Sequence, residues 1–314
     1  EWAQPHLLYA RSLLLQDETD EAIEYVARLV GDSPDPDPEA RLELAIMYLA
    51  ADRDDDALSQ VNQVLLEQPA RTDALRLMAI INFRQEHLDA AWSDFQDLLA
   101  TGRHTMDALY YLARIADRRQ DYDQALALYS RVISGPNAVL SQRRVGGILA
   151  EEGKFDEALE HLDEFAETHP GYAIDMIQAR AQLLASEERY DEARETLEES
   201  LAIVRATGHR LREGIILGNL ASIAIEQGRL DDAGHLCDAS YALSEAVGDV
   251  EGVVSTVSRL GDIARLTGDF ELARLHLERA IEEARFRSAR LHIVRSVGRS
   301  LNENPGHAQR WASD

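Results

Sequence analysis

Apolar residues follow the spacing of amphipathic helices along most of the chain. The clearest stretch covers residues 153–170, where apolar side chains recur at the i, i+3, i+4 and i+7 positions of a helix: Phe155, Ala158, Leu159, Leu162 and Phe165. Gly153 precedes this group and Pro170 follows it, and both residue types favour the ends of helices. The pattern therefore predicts a turn at residue 153 and an amphipathic helix that stops before residue 170.

The same pattern returns at nearly regular intervals, each time with an acidic residue two places before an alanine. The eight alanines are Ala22, Ala57, Ala91, Ala125, Ala158, Ala193, Ala233 and Ala273, and their successive intervals are 35, 34, 34, 33, 35, 40 and 40 residues. The residue twelve places before each alanine is also small: Ala10, Ala45, Ala79, Ala113, Gly146, Ala181, Ala221 and Gly261. A period of this length is typical of helical repeats, and small residues let two helices approach closely. The pattern predicts eight helix–turn–helix repeats.

These repeats resemble the tetratricopeptide repeat (TPR), which has small residues at two fixed places, an aromatic residue before the acidic one and a closing proline. The aromatic residues here are Tyr122, Phe155, Tyr190 and Phe270, and the prolines are Pro34, Pro69 and Pro170. Leu88 and Leu230 depart from the aromatic position, and the usual turn glycine occurs only at residues 153, 228 and 268. The resemblance covers about residues 3–285. It implies an all-α, right-handed superhelical solenoid of about eight helix–turn–helix repeats with a C-terminal capping helix.

The repeat period divides the chain into segments. Residues 1–205 hold repeats one to six with a period of 33–35 residues, and residues 206–286 hold repeats seven and eight with a period of 40. Residues 287–302 carry one more apolar helical stripe and are expected to cap the array, while residues 303–314 are expected to form a flexible tail. Repeats seven and eight continue the array or were fused to it, and the sequence leaves both origins open.

Two finer resemblances follow from short stretches. Through residues 107–116 and 137–144, repeats one to six are similar to bacterial envelope TPR lipoproteins that act as adaptors for a carboxyl-terminal processing protease. Through residues 217–221 and 247–249, repeats seven and eight resemble the longer TPRs of kinesin light chain and bacterial regulators. The first resemblance slightly favours the bacterial envelope over the cytoplasm. Because the sequence begins at Glu1 and not at a methionine, we expect any signal or lipid-anchor segment to lie outside it.

The charge balance argues against nucleic acid as a partner. The chain has 57 acidic and 32 basic residues, which gives a net charge of −25, whereas phosphate binding needs a basic surface. A solvated acidic surface in a salt-adapted source explains the same balance. Cys237 is the single cysteine, so no intrachain disulfide can form. No apolar run reaches the roughly 20 residues of a membrane span.

Catalytic and metal-binding signatures do not emerge from the sequence. We find no His-Glu-x-x-His motif, no phosphate-binding glycine loop, no Cys-x-x-Cys pair and no nucleophile elbow. Asp35, Asp37 and Glu39 alternate as in a calcium loop, but the required glycine and the distal glutamate are missing. The chain is therefore predicted to be no enzyme and to need no cofactor or metal.

The TPR resemblance implies a partner-binding groove lined by the first helix of each repeat. Counting from the small residue, the groove-facing residues of repeats three to five are Arg76, Ile80, Phe83, Arg84, Tyr110, Arg114, Arg118 and Arg143. Arginine binds carboxylates and aromatic rings supply contact area, so this set predicts binding of an acidic protein segment. Alternatively, some of these arginines pair with acids on adjacent helices. Asn219 matches the asparagine that contacts bound peptide backbone in the family, whereas the lysine–asparagine clamp for chaperone tails is absent.

A second basic surface is predicted near the C-terminus. Five arginines occur there without an acidic residue between them: Arg285, Arg287, Arg290, Arg295 and Arg299. They form either the solvated face of the cap or a docking site for an acidic surface, including that of another copy. Three functions thus remain open: a protein-interaction scaffold that recruits substrates to an envelope protease, a peptide- or ligand-sensing module of a cytoplasmic regulator, and a self-assembling building block.

Overall fold

The computed structural model describes residues 3–16 and 18–282, and every regular element in this part of the chain is helical. The helices are α1 (Ala3–Leu15), α2 (Thr19–Asp32), α3 (Pro38–Ala50), α4 (Asp54–Glu67), α5 (Thr72–Arg84), α6 (Leu88–Ala100), α7 (Thr105–Arg118), α8 (Tyr122–Tyr129), α9 (Ala138–Glu151), α10 (Phe155–Thr168), α11 (Ala173–Ser186), α12 (Tyr190–Thr207), α13 (Arg210–Glu226), α14 (Leu230–Val247) and α15 (Val250–Thr267). A further helix, α16, covers residues 270–282, and a short 3-10 turn precedes α11. The predicted cap and tail lie outside the described residues.

Consecutive helices pack in pairs, from α1 with α2 to α13 with α14, and Leu277 of α16 lies against Gly261 of α15. The prediction of an all-α array of helix–turn–helix repeats is therefore confirmed. Contacts divide the chain into two compact units, which we describe separately: one runs to Arg131 and contains α1–α8, and the other starts at Val132 and contains α9–α16. The predicted boundary at residues 205 and 206 rests on the repeat period alone and stays a prediction.

The longer period of the last repeats comes from longer helices. α9, α10 and α11 have 14 residues each, whereas α12, α14 and α15 have 18 and α13 has 17. The lengthening begins at α12, the second helix of repeat six. Because one helical turn contains about 3.6 residues, each of these helices gains roughly one turn.

The small residues of the repeat lie where the two helices of each pair meet. All sixteen are buried. Seven of the eight alanines that lie two places after an acidic residue, which we call the alanines of the acidic signal, have no exposed surface: Ala22, Ala57, Ala91, Ala125, Ala158, Ala193 and Ala233. A Cβ atom added to Gly146 on α9 would lie 3.5 Å from Leu162 Cδ1 on α10, and one added to Gly261 would lie 3.1 Å from Leu277 Cγ. The close helix approach predicted from the sequence is thus present.

In seven of the repeats, the turn after the first helix contains a residue with a left-handed backbone conformation. This residue lies five positions before the alanine of the acidic signal. Glycine fills this place at residues 153, 228 and 268, with φ between 71° and 85°. In the other four repeats a non-glycine residue adopts the same conformation, with φ between 55° and 60°: Asp52, Glu86, Gln120 and Glu188. The backbone turn is therefore kept even where the glycine is missing, at some steric cost to residues that carry a Cβ atom.

Replacing Gln120 by glycine is expected to stabilise the protein. Gln120 is exposed and has φ of 60°, so glycine relieves the left-handed strain and stabilises the fold by about 0.5–1 kcal/mol. The matched control is Gln124→Gly, which lies in α8 with a side chain that is also exposed and should destabilise by about 1 kcal/mol. Urea unfolding followed by circular dichroism measures both changes, and destabilisation by Gln120→Gly would contradict the argument.

Candidate functional site

Seven of the predicted groove residues lie together on α5 and α7, which are in contact within the first compact unit. We call the surface formed by these residues the α5–α7 face; its members are Arg76, Ile80, Phe83, Arg84, Tyr110, Arg114 and Arg118. Each α7 residue of this set occupies the repeat position that an α5 residue occupies one repeat earlier. The two helices therefore contribute the same positions of the repeat to this face. Sequence counting therefore brought together residues that share a surface, while their role in binding stays a prediction.

Arg114 stands over a group of aromatic rings. Its Cζ atom lies 4.6 Å from the ring centroid of Phe83, 5.4 Å from that of Tyr110 and 5.8 Å from that of Tyr111. The guanidinium is held by cation–π contacts, and among the described residues no acidic side chain pairs with it. Since Arg114 is only half-buried, its N–H groups are open to a carboxylate from outside the chain.

Phe83 does not offer the contact surface that the sequence predicts. Its side chain is 3% exposed, and Arg118 covers the ring together with Arg114, with the Arg118 Cζ atom 4.4 Å from the centroid. Below it, Tyr111 makes an edge contact with Phe83 at 5.2 Å and stacks on Phe95 at 4.8 Å. Phe83 is thus buried beneath two arginines. The apolar surface that this face leaves accessible belongs to the half-buried Ile80 and Tyr110.

The other arginines of the α5–α7 face already pair with acidic residues of the preceding or following repeat. Arg76 pairs with Asp107 at 3.2 Å, and Arg118 pairs with Glu86. Arg84 contacts two carboxylates at once, Asp52 at 2.7 Å and Asp54 at 2.9 Å. These pairs join residues that are 30–32 positions apart in the sequence. The alternative in which arginines pair with acids on adjacent helices therefore holds for three of the five.

The two remaining candidates lie in the second compact unit. Arg143 on α9 is exposed and donates a hydrogen bond to the Gln182 side-chain oxygen at 2.6 Å. Asn219 on α13 is half-buried, and its amide makes no hydrogen bond to the residues that the structure describes. The predicted docking arginines, Arg285, Arg287, Arg290, Arg295 and Arg299, lie outside the described residues.

Sequence reasoning missed Arg259 on α15. This half-buried arginine donates a hydrogen bond from Nε to the Ser222 hydroxyl at 2.7 Å, and burial lowers the pKa of its guanidinium. The repeat pattern contained a signal for it, because Arg259 and Asn219 each lie two places before the small residue of a first helix, one period of 40 residues apart. The side-chain burial of the arginine could not be read from that spacing.

Metal and membrane sites are not indicated in the part of the chain that the structure describes. No group of three or more histidine, cysteine, aspartate or glutamate side chains lies close enough to hold a metal ion among residues 3–16 and 18–282. Within the same ranges, no helix is both long and apolar enough to span a bilayer.

Comparison with known families identifies the repeats. Models described as tetratricopeptide repeat match residues 13–81, 76–139, 172–233 and 212–284, and these ranges cover all but the ends and a short central stretch of the chain. The chain is built of tetratricopeptide repeats. TPR proteins are generally non-catalytic scaffolds, so the repeats indicate protein–protein interaction.

A TPR repeat-containing protein of Pseudomonas aeruginosa is 30% identical over 97 residues, which is 31% of this chain and 16% of the relative. The chain thus matches less than a fifth of that relative's length.

One solved structure shows the same repeat architecture. A tetratricopeptide repeat protein from Parabacteroides merdae superposes with a TM-score of 0.51 at 16% identity, covering 82% of this chain and 98% of that one. The C-terminal part of a TPR repeat-containing protein from Cytophaga hutchinsonii gives a TM-score of 0.48 at 14% identity, covering 79% and 99%. At such identity the first likeness shows the fold alone. The resemblances to protease adaptors and to kinesin light chain remain predictions.

Proposed function

We propose that this TPR protein is a non-catalytic scaffold that binds an acidic segment of a partner protein on the α5–α7 face. The observation that supports the proposal is the state of Arg114, which is fixed over three aromatic rings and pairs with no acid of the described chain. A guanidinium held in this way has little side-chain entropy left to lose, so a carboxylate binds it at lower cost than it would bind a mobile arginine.

The negative net charge of the chain makes binding of an acidic segment more selective for Arg114. With a net charge of −25, the protein as a whole repels an acidic segment, and an arginine without an acidic partner attracts it locally. Arg76, Arg84 and Arg118 contribute less, because an incoming carboxylate must compete with the acids that already hold them. The proposed contact therefore centres on Arg114, flanked by the half-buried Ile80 and Tyr110.

Reversing the charge of Arg114 is expected to abolish partner capture. The immobilised full chain, its Arg114→Glu variant and an Arg131→Glu control are exposed to lysate of the source organism, and captured proteins are identified by mass spectrometry. Arg131 is exposed and lies in the same compact unit, so the control changes the net charge equally without touching the aromatic cluster. A partner held through Arg114 should lose about 2 kcal/mol or more, roughly 30-fold in affinity, in the Arg114→Glu variant alone.

Equal capture by all three proteins would remove the α5–α7 face from the proposal. A partner that is found should then be cut into peptides, and we expect the peptide that binds the wild-type chain to contain an acidic segment. If the bound peptide carries no acidic residue, the arginine-centred proposal is wrong even though the protein remains a scaffold.

We extend the proposal to an adaptor that recruits substrates to a protease in the bacterial envelope. The support is the resemblance of repeats one to six to such adaptors, and residues 107–116, which contribute to it, include Arg114. The captured proteins should then include a protease, and adding the chain to that purified protease and a captured client should accelerate cleavage of the client. Capture of a transcription regulator would favour the sensory alternative.

A further inference from the structure

Helix α16 exposes apolar side chains at places that are buried or half-buried in most other repeats. Leu277, four residues after the alanine of the acidic signal, is 42% exposed. Its seven counterparts in the preceding repeats are at most 3% exposed: Val26, Val61, Phe95, Tyr129, Leu162, Leu197 and Cys237. Phe270 and Ile281 lie seven residues before and four residues after Leu277, on the same side of α16, and both are exposed. Within the part of the chain that the structure describes, this side of α16 lacks the cover that its counterparts have.

Inside each compact unit, the first helix of the following repeat provides that cover. Phe95 on α6 belongs to one apolar cluster with Ala108 and Leu112 on α7. Leu197 on α12 belongs to another with Leu220 on α13. Ala108 lies five places before the small residue of its helix, and Leu112 and Leu220 each lie one place before theirs. We call these two places of a first helix its covering places.

The covering places of α1 are exposed. They are Pro5 and Tyr9, four residues apart and therefore on one side of the helix. The seven counterparts of Pro5 in the other repeats are at most 1% exposed: Ala40, Ala74, Ala108, Ser141, Met176, Ile216 and Thr256. Among the described residues, α1 thus has a side that resembles the cover of a second helix but covers none.

A polar contact links the same two surfaces in other repeats. In three repeats, the residue six places after the small residue bonds to an acid of the preceding repeat, two places before its alanine: Gln85 to Asp55 at 3.0 Å, Arg119 to Asp89 at 2.5 Å and Gln227 to Asp191 at 3.3 Å. Gln16 and Glu271 occupy these places in repeats one and eight, and both are exposed. An α1 helix placed on α16 would therefore bring the Gln16 amide to the Glu271 carboxylate.

The sequence that follows α16 matches its exposed side less well than α1 does. In the 40-residue period of the last repeats, the covering places after α16 fall on Ser296 and Ser300, which are both polar. The same places in α1 hold Pro5 and Tyr9, which supply apolar surface. A second copy of the chain thus fits both exposed surfaces at once, through the contacts that already join consecutive repeats within each compact unit.

We propose that α16 of one copy packs against α1 of a second copy, so that the protein associates with itself head to tail. The two surfaces are different, so the contact does not close in a dimer, and each added copy brings another α16 for the next. This contact concerns the self-assembling alternative and does not rest on the proposed binding of an acidic segment.

Two variants test the contact, because each blocks one of the two surfaces. Leu277→Glu puts a charge on α16 and Tyr9→Glu puts one on α1, and each should raise the dissociation constant of self-association about tenfold or more, since the contact would bury an unpaired carboxylate. Leu66→Glu is the matched control: Leu66 on α4 is exposed, and the change in charge is the same, so it should associate as the wild type does. Sedimentation velocity of the full chain over a concentration series measures all four proteins. Salt of about 0.15 M screens the repulsion between acidic copies beyond about 8 Å.

Mixing the two blocked variants should restore one contact. Tyr9→Glu supplies an intact α16 and Leu277→Glu supplies an intact α1, so an equal mixture should form a one-to-one dimer and nothing larger. The wild type should form species larger than a dimer as its concentration rises. Dimer formation in the mixture also shows that both variants are folded, and circular dichroism checks each variant alone.

A wild type that stays monomeric up to about 1 mM would overturn the proposal, and it is the result expected if the segment after α16 covers this helix. Undiminished association of Tyr9→Glu would also overturn it, because two α16 helices would then be meeting each other. So would the absence of a dimer in the mixture of the two folded variants. Arg114→Glu should self-associate as the wild type does, so failure here and failure of the α5–α7 face are observed separately.

Discussion

Replacement of Phe95 by alanine is expected to lower the free energy of unfolding by about 3–5 kcal/mol. Phe95 on α6 has no exposed surface and stacks on Tyr111 of the next repeat, with ring centroids 4.8 Å apart and planes within 3°. Alanine leaves a cavity between α6 and α7 that the neighbouring apolar side chains, Leu98 and Leu112 among them, can fill only by shifting. Urea unfolding of the variant and the wild type measures the loss.

The Phe95→Ala substitution should also affect the candidate site. Tyr111 supports the ring of Phe83, on which the Arg114 guanidinium lies, so loss of the stacking partner should loosen the arginine. We therefore expect Phe95→Ala to weaken capture of a partner even at temperatures at which the variant is folded. Leu66→Ala is the control, because Leu66 is 76% exposed and its loss should change stability by less than about 0.5 kcal/mol. Similar losses in both variants would contradict the packing argument.

Replacement of Ala158 by leucine is expected to destabilise the protein by about 1–3 kcal/mol or more, through overpacking. Ala158 on α10 has no exposed surface and pairs in the repeat pattern with Gly146 on α9. At Gly146 a Cβ atom would already be in van der Waals contact with Leu162 Cδ1 at 3.5 Å, so a larger side chain at this interface would have to displace its neighbours. The expected result is a lower thermal midpoint, read by circular dichroism.

Ala202→Leu provides the matched control for this substitution. Ala202 lies on α12 in the same compact unit, but its side chain is exposed, so the added carbons meet solvent. We expect its thermal midpoint to stay within about 2 °C of the wild type. If Ala158→Leu is tolerated equally well, the small residues of the acidic signal do not set the distance between the helices.

The fold was predictable because its information is local and repeated. Each repeat has the same apolar spacing and the same two small residues. A repeat that departs from the pattern at one position can therefore still be recognised by comparison with the others. The turn at Gln120 shows the limit of residue-type reasoning: glycine is absent, yet the backbone adopts φ of 60° because the helices on either side require it.

The position of the candidate site could be predicted from the sequence, but the interactions of its arginines could not. Counting positions put Arg76 and Arg114 on one surface, but their partners depend on side chains contributed by neighbouring helices. Asp107 lies 31 residues after Arg76 and neutralises it, whereas Arg114 meets aromatic rings. Whether an arginine pairs with an acid, stacks on aromatic rings or bonds to a hydroxyl, as Arg259 does, follows from three-dimensional contacts that a repeat pattern does not specify.

The packing of each helix against its sequence neighbours bears on how the protein is made. Ala10 and Ala22, for example, lie twelve positions apart and belong to the same buried core, and the ion pairs of the α5–α7 face join residues no more than 32 positions apart. Among the described residues, each helix packs mainly on helices that are one or two elements away in the sequence. During synthesis, each hairpin can therefore acquire its contacts soon after the next repeat leaves the ribosome, which keeps apolar surface exposed only briefly.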